Sequence, residues 1–269
     1  PAEARTRYSE LLLKDVEDAH RDVGLDLVVA YVWSAHVLPE AIRDIRRLGI
    51  PTVLFYCNAA HQFHQVEEIA PAFDFCMVPE RQALPKYRAI CDNPVHIQMA
   101  ADPVMYQPSV TQVIYDATFV GQMYLNRPNY VAFLAWHGID IHVWRPGWQQ
   151  AAEWHRAHLS YQRRLRRTIG DAKRFVQRQL GMQPAWYPLP IRRCGDILSD
   201  EAMVRVPSQR LVSLNFSEVK DDRTHEIKRH IRLRDFEVPM SGGFLVTGLQ
   251  DELTEYYEIG REIVCYDTK

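Results

Sequence analysis

Two histidines three residues apart, His61 and His64, sit with Asn58 in the segment CNAAHQFHQ, directly after the apolar run IPTVLFY at 50–56. Imidazoles just beyond the carboxyl end of a buried strand can hydrogen-bond a substrate, because ligands of open α/β sheets bind outside that end. Two nearby histidines can equally mark a solvated helix start. A zinc site from His61 and His64 needs further ligands that the neighbouring sequence does not supply, so no metal site is expected. The other chemically suggestive stretch is RLRDFEVPMSGGFLVT, residues 232–247. A glutamate on a helix, Glu237, is followed by a Gly242-Gly243 turn and a buried strand. That order can set a carboxylate against ribose hydroxyls while glycine admits backbone N–H groups to a diphosphate. Arg232 and Arg234, within a turn of Glu237, can neutralise phosphate charge. On spacing alone, a solvated charged helix face ending in a glycine stop is the better explanation of the stretch.

The elements that must position these residues alternate between helix and strand. Tyr8, Leu11, Leu12 and Val16 recur at helical spacing, and the apolar run Leu25–Val32 follows Gly24. A second helical pattern at 38–48 stops at Gly49, and 50–56, 73–78 and 95–99 are short buried runs, with a helix-like polar segment between the last two. This spacing predicts parallel βαβ units, half of a doubly wound sheet. Residues 101–110 carry two prolines and no periodicity, which fits a domain boundary. Alternation restarts with ATFVG at 117–121, a helix near 127–137 and a strand at 138–144. A long basic helical stretch at about 148–180 comes next, then strands at 211–216, 244–247 and 262–266 and helices near 230–241 and 251–257. The expected domains are 1–108 and 109–269.

Composition narrows the function classes. The 269 residues are 47% hydrophobic and 25% charged, the proportions of a folded globular protein. The formal charge of −2 gives no reason to expect nucleic acid as a partner. No apolar run is long enough for an integral membrane segment. Charge is uneven: residues 1–108 carry a net −5 and 109–269 a net +3. Five cysteines, at 57, 76, 91, 194 and 265, form no C-x-x-C pair, so a reducing, cytoplasmic setting is the expectation. Dinucleotide, P-loop, zincin and α/β-hydrolase signatures are absent from the sequence.

Three blocks carry a resemblance: DATFVGQMYLNRPNYVAFLAWHGIDIHVWRPGW at 116–148, LNFSE at 214–218, and RDFEVPMSGGFLVT through EIGREIVCYDT at 234–268. Read with GIPTVLFYCNAAHQFHQVEEIAPAFDFCMVPE at 49–80 and AADPVMYQP at 100–108, the chain resembles the spore-maturation (CgeB-like) family of glycosyltransferases. The resemblance implies the GT-B fold: two Rossmann-like domains facing a cleft, with an acceptor-side domain at 1–108 and a nucleotide-sugar (donor) domain at 109–269. It implies sugar transfer from a nucleotide-diphosphate donor to an acceptor that it does not identify, retaining in stereochemistry and with no cofactor or metal. By the same likeness, Glu237 corresponds to the glutamate that holds the nucleotide ribose, and Gly242 and Gly243 to the glycine turn beside it. Gly121 corresponds to the glycine after the donor domain's first strand. Arg234 is the candidate for the diphosphate, with Asn215 and Ser217 ending a strand that points at the same cleft. His61 resembles the acceptor-domain histidine near the reacting sugar, with His64 the substitute.

Departures from the wider pattern matter too. The E-x7-E signature of many retaining GT-B enzymes needs a glutamate at 229, where this chain has Arg229. A GT-B nucleotide-sugar epimerase, or a non-catalytic binding module using the basic stretch, are the alternative readings. Against a complete GT-B enzyme, the chain is expected to be incomplete at both termini, lacking an opening strand and closing helices.

Overall fold

The computed structural model describes residues 2–109, 112–153 and 189–267. Most of the basic stretch at 148–180 lies outside the described residues, of which 148–153 are helical. No helix among the described residues is long and apolar enough to cross a membrane. The chain divides into two units. The first comprises residues 1–99 and 219–230, the second 100–218 and 231–269. The expected division at 108/109 therefore lies nine residues inside the second unit, because Tyr106 is packed against Glu237. The return of 219–230 to the first unit had no counterpart in the sequence reading.

In the first unit four parallel strands lie in chain order: β1 (Val28–Ala30), β2 (Thr52–Phe55), β3 (Phe75–Val78) and β4 (Pro94–His96). Each is shorter than its apolar run, because the flanking residues turn out of the ladder into loops. Helix α1 (Ala2–Val23) packs Leu12, Leu13 and Val16 against the core, and Ser9 caps the loop beyond it by accepting the Leu38 N–H at 2.9 Å. Helix α2 (Pro39–Arg47) starts with proline, whose missing N–H would be an orphan there anyway. It buries Ala41, Ile42 and Ile45, the last following the other two by four and three residues on one face, and ends before Gly49 at φ +83°. Helix α3 (Leu84–Arg88) is the short product of the expected polar helix, started by the turn Arg81–Ala83. One face of the sheet stays open: Val29 is 60%, Phe75 41% and Val95 42% exposed. The later strands β9 (Glu218–Lys220) and β10 (Ile227–Arg229) form a two-stranded ribbon, and residues 219–230 belong to this unit.

The second unit holds a six-stranded parallel sheet in the order β12-β11-β8-β5-β6-β7. Its strands are β5 (Tyr115–Val120), β6 (Ile141–Trp144), β7 (Cys194–Gly195), β8 (Arg210–Asn215), β11 (Leu245–Gly248) and β12 (Val264–Tyr266). Helix α4 (Arg127–Trp136) follows β5, and further helices span Asp200–Arg205 and Arg234–Met240. The expected helix at 251–257 is a 3-10 turn, Asp251–Glu255. The helix expected at 230–241 begins only at Arg234, because residues from 230 back belong to the other unit. Pro239 and Gly242, at φ +73°, close it. From the central β5 the chain builds outward through β6 and β7, then reverses to β8, β11 and β12 on the other side. Both units are thus α/β with parallel sheets, and the second is doubly wound with a switch point between β5 and β8.

Candidate functional site

The switch point gathers side chains that the sequence scatters. Arg127, at the first position of α4, is buried and spans the crevice: Nη1 donates to the Gln122 carbonyl at 3.0 Å and Nη2 to the Phe216 carbonyl at 2.8 Å. It therefore ties the loop after β5 to the loop after β8. Burial first, and the Arg232 charge second, push its pKa down to about 10, so it stays cationic at neutral pH. Its Nε has no hydrogen-bond partner in the described structure. Arg234 points its Nε at the Val120 carbonyl, 3.3 Å away at the end of β5, and its Nη2 at the Met203 sulfur, 3.2 Å away. Arg232 Nη2 donates to the Glu218 carbonyl at 3.4 Å, so the guanidiniums of Arg127, Arg232 and Arg234 attend the loops at the carboxyl ends of the two switch strands.

Carboxylates stand among them. Glu237 is buried and accepts from the Tyr106 hydroxyl at 2.7 Å and from Arg234 Nη1. Burial and this bond to Glu237 both raise the Tyr106 pKa. Asp235 is fully buried and accepts from Asn215 Nδ2 at 2.7 Å and from the Arg232 backbone N–H at 2.8 Å, while its carbonyl accepts from the Tyr257 hydroxyl. Asn215 also donates to Thr247 Oγ1 at 3.3 Å, so its amide stitches β8 to β11 and to the helix. Ser217, fully buried, has a hydroxyl without a hydrogen-bond partner in the described structure. Glu218 receives both arms of a forked bond from the Tyr130 hydroxyl, at 3.1 and 3.2 Å.

The glycines expected at the site are engaged otherwise. The Gly242 and Gly243 N–H groups donate to the carbonyls of Pro239 and Val238, each at 2.9 Å, and so satisfy the helix's own last carbonyls. A Cβ on Gly243 would sit 2.5 Å from the Pro207 carbonyl, so close backbone approach requires glycine there. The Gly121 N–H donates to the Trp144 carbonyl at 3.1 Å, and its own carbonyl accepts from Trp148 Nε1 at 2.8 Å.

In the first unit the two candidate histidines part company. His61 is buried against His230, with ring centroids 5.2 Å apart and edge-to-face. His64 is partly exposed and lies 3.9 Å from Asp222. Arg229 stands on β10 in this unit, and its carbonyl accepts from Gln82 at 3.2 Å.

The sequence reading singled out Arg232, Arg234, Glu237, Asn215 and Ser217, which the structure collects in the second unit. It missed Arg127, Tyr106, Asp235 and Glu218 there, and Glu80 and His230 in the first unit. For Arg127 a signal existed, an Arg-Pro helix start six residues after the strand-ending Gly121. For Glu80 and His230, 150 residues apart, none did.

No protein-family model matches the chain, and no curated protein matches it. Among solved structures it is similar to AviGT4, a glycosyltransferase involved in avilamycin A biosynthesis, with TM-score 0.49 and 16% identity, over 96% of this chain and 65% of that one. It is also similar to a chain of the Glycosylation Associate Protein (Gap123) complex from Streptococcus agalactiae, with TM-score 0.44 and 11% identity, over 90% of this chain and 46% of that one. The chain therefore spans less than two thirds of the length of either neighbour. At such scores the functional reading is left to the chain's own geometry.

Proposed function

We propose that the chain is a large part of a GT-B glycosyltransferase of the CgeB-like kind, moving a sugar from a nucleoside-diphosphate donor bound at the second unit. The observation that carries the reading is the convergence of Arg127, Arg232 and Arg234 with Glu237 at the switch point of a doubly wound sheet. A switch point is where such sheets bind nucleotides. Breaking the bond between sugar and diphosphate develops negative charge on the leaving phosphate, and fixed cations in a desolvated site stabilise that charge without reorganising. Arg234 suits the task because two of its contacts are weak, a carbonyl at 3.3 Å and a thioether, and phosphate oxygens displace both with stronger bonds. Glu237 uses two of its roughly four acceptor positions, leaving capacity for ribose hydroxyls. The amino end of α4 adds its dipole at the same strand ends. In this reading the diphosphate needs no metal ion, and transfer proceeds with retention. The acceptor belongs to the first unit, where His64 is the one of the two candidate histidines, His61 and His64, with solvent access.

The test is a screen of nucleoside diphosphates and their sugars by thermal shift, followed by nucleotide release with and without candidate acceptors. Stabilisation by a diphosphate that is lost in Arg234→Gln supports the reading. A chain that no diphosphate stabilises refutes it. A new sugar formed from donor alone points instead to an epimerase.

A further inference from the structure

His61, Glu80 and His230 come from three remote parts of the first unit: the loop after β2, the residue pair after β3, and the end of the returning ribbon. All three are buried, at 8%, 2% and 3% exposure. Each offers one ligand atom, and these atoms lie within 4.8 Å of one another. We propose that these three side chains form a site for one divalent cation of the zinc class. The inference uses residues of the first unit alone and stands whether or not the chain transfers sugars.

Three observations carry it. The donor set is two imidazoles and one carboxylate, which suits zinc and its first-row neighbours and not magnesium or calcium, whose ligands are oxygens. His230 Nδ1 and Glu80 Oε1 approach to 2.5 Å, yet neither atom makes an aligned hydrogen bond. A nitrogen and an oxygen that meet this closely outside hydrogen-bond alignment are placed to serve as two ligands of a third centre. The imidazole of His230, in a side chain 3% exposed, has no hydrogen-bond partner at either nitrogen in the described structure, so whichever one binds the cation gains a partner it otherwise lacks. Such a group carries a desolvation cost that protein partners do not offset.

The surroundings supply what a metal site needs beyond its ligands. Glu80 is oriented through its second oxygen, which accepts the Ala60 N–H, and the Ala60 carbonyl in turn accepts from Lys86 Nζ at 3.0 Å. Outer-shell bonds of this kind fix a carboxylate for coordination. Further contacts already hold the ribbon against the loop that carries His61. The Asp222 N–H donates to the His61 carbonyl at 3.1 Å, Gln62 Nε2 to Asp222 at 3.2 Å, and Arg223 to Glu67 at 2.7 Å. Tetrahedral zinc, with bonds of about 2.0 Å, sets its ligand atoms about 3.3 Å apart. Binding therefore closes the wider gaps in the cluster and opens the 2.5 Å contact. The protein gives three ligands, and the fourth position is left for water or a small anion. A bound cation would clasp residues separated by more than 150 positions, closing a long loop whose ordering otherwise costs entropy.

The experiment is a titration of the chelator-treated full chain with Co(II), read by visible absorption, then displaced with Zn(II), and paired with melting curves. One Co(II) per chain, the absorption of low-coordinate cobalt bound to nitrogen, displacement by zinc but not by magnesium, and a raised melting temperature are expected. Glu80→Gln and His230→Ala should each weaken binding by roughly 100-fold or more, given that even outer-shell losses cost about 10- to 100-fold. His36→Ala, outside the cluster, should not. Absence of saturable binding by the wild-type chain overturns the proposal, as does undiminished binding in both cluster variants. Should the variants not fold, zinc X-ray absorption on the wild-type chain decides: a shell of two imidazoles and one carboxylate supports the site, and any other shell rejects it.

Discussion

The two units build parallel sheets from the same kind of alternation, yet only one reverses direction. In the first unit β1 to β4 lie side by side in chain order, so no two neighbouring loops diverge to open a crevice. In the second, β5 and β8 send their connections opposite ways, and the gap between those connections is where Arg127, Arg232 and Arg234 gather. Charge follows topology. The second unit concentrates guanidiniums at its switch point, while the first, lacking one, fills its loop edge with a returning ribbon whose final His230 is buried with His61 and Glu80. The lesson is that strand order, more than composition, decides whether polar side chains face a ligand or one another.

Substitutions can break or sharpen this contrast. The largest expected effect is Asp235→Ala. It removes a fully buried carboxylate that accepts from Asn215 and the Arg232 N–H, and should destabilise the second unit by about 3–5 kcal/mol in urea unfolding. Gly243→Ala comes next: its Cβ meets backbone at Pro207, and about 2–3 kcal/mol should be lost as the helix and the turn before β8 separate. Gly49→Ala in the first unit is the matched control. Its φ is +83° but the space around it is open, so only about 1–2 kcal/mol of backbone strain is expected. Equal losses at the two glycines would erase the claim that the second unit's turn is set by close packing.

Arg234→Gln should weaken diphosphate binding roughly 10- to 100-fold by calorimetry, the worth of one or two charge-assisted bonds, and should cost about 1–3 kcal/mol in urea unfolding because it also removes the cation bonded to the buried Glu237. A large stability loss with unchanged binding would recast Arg234 as a partner of Glu237 only. The smallest effect is acid sensitivity of the ribbon. The Lys228 ammonium foremost, with the Thr224 and Arg223 N–H groups, holds the buried Asp221 carboxyl well below the usual carboxylate range. At Asp74 burial pushes upward, but the bonds from Thr52 and the charge of Arg46 outweigh it, and its pKa is also lowered. A carboxylate depressed on folding contributes stability above its unfolded pKa of about 3.9 and loses it as pH falls toward the folded value. Asp221→Asn should therefore be less stable than the parent at neutral pH and lose less stability between about pH 5 and pH 2.

Much of the architecture was legible in the sequence because apolar runs bounded by glycine and proline announce parallel strands and their helices. The strands at 52–55, 117–120, 141–144 and 211–215 and the helix at 127–136 fall where periodicity put them. The short β7, Cys194–Gly195, and the ribbon of β9 and β10 were not foreseen, since two- and three-residue strands carry no period. For the candidate site, Arg234 and Glu237 were readable as a charged helix start, and the structure pairs them. Their neighbours were not, because Tyr106 and Arg127 reach the same crevice from 131 and 107 positions away in sequence, through strand order alone. Gly242 and Gly243 illustrate the reverse: their positions follow from the pattern, but their N–H groups end a helix.

The ribbon has a consequence for how the protein comes into being. Residues 219–230 are made after β5 to β8 of the second unit, so the first unit leaves the ribosome incomplete and waits for them. Until then Gln62, Glu67 and Glu80 lack their counterparts Asp222, Arg223 and His230 from the returning segment. A chain cut after Met99 would share that state permanently, so the two halves of this molecule cannot be obtained whole by dividing its gene at any single place.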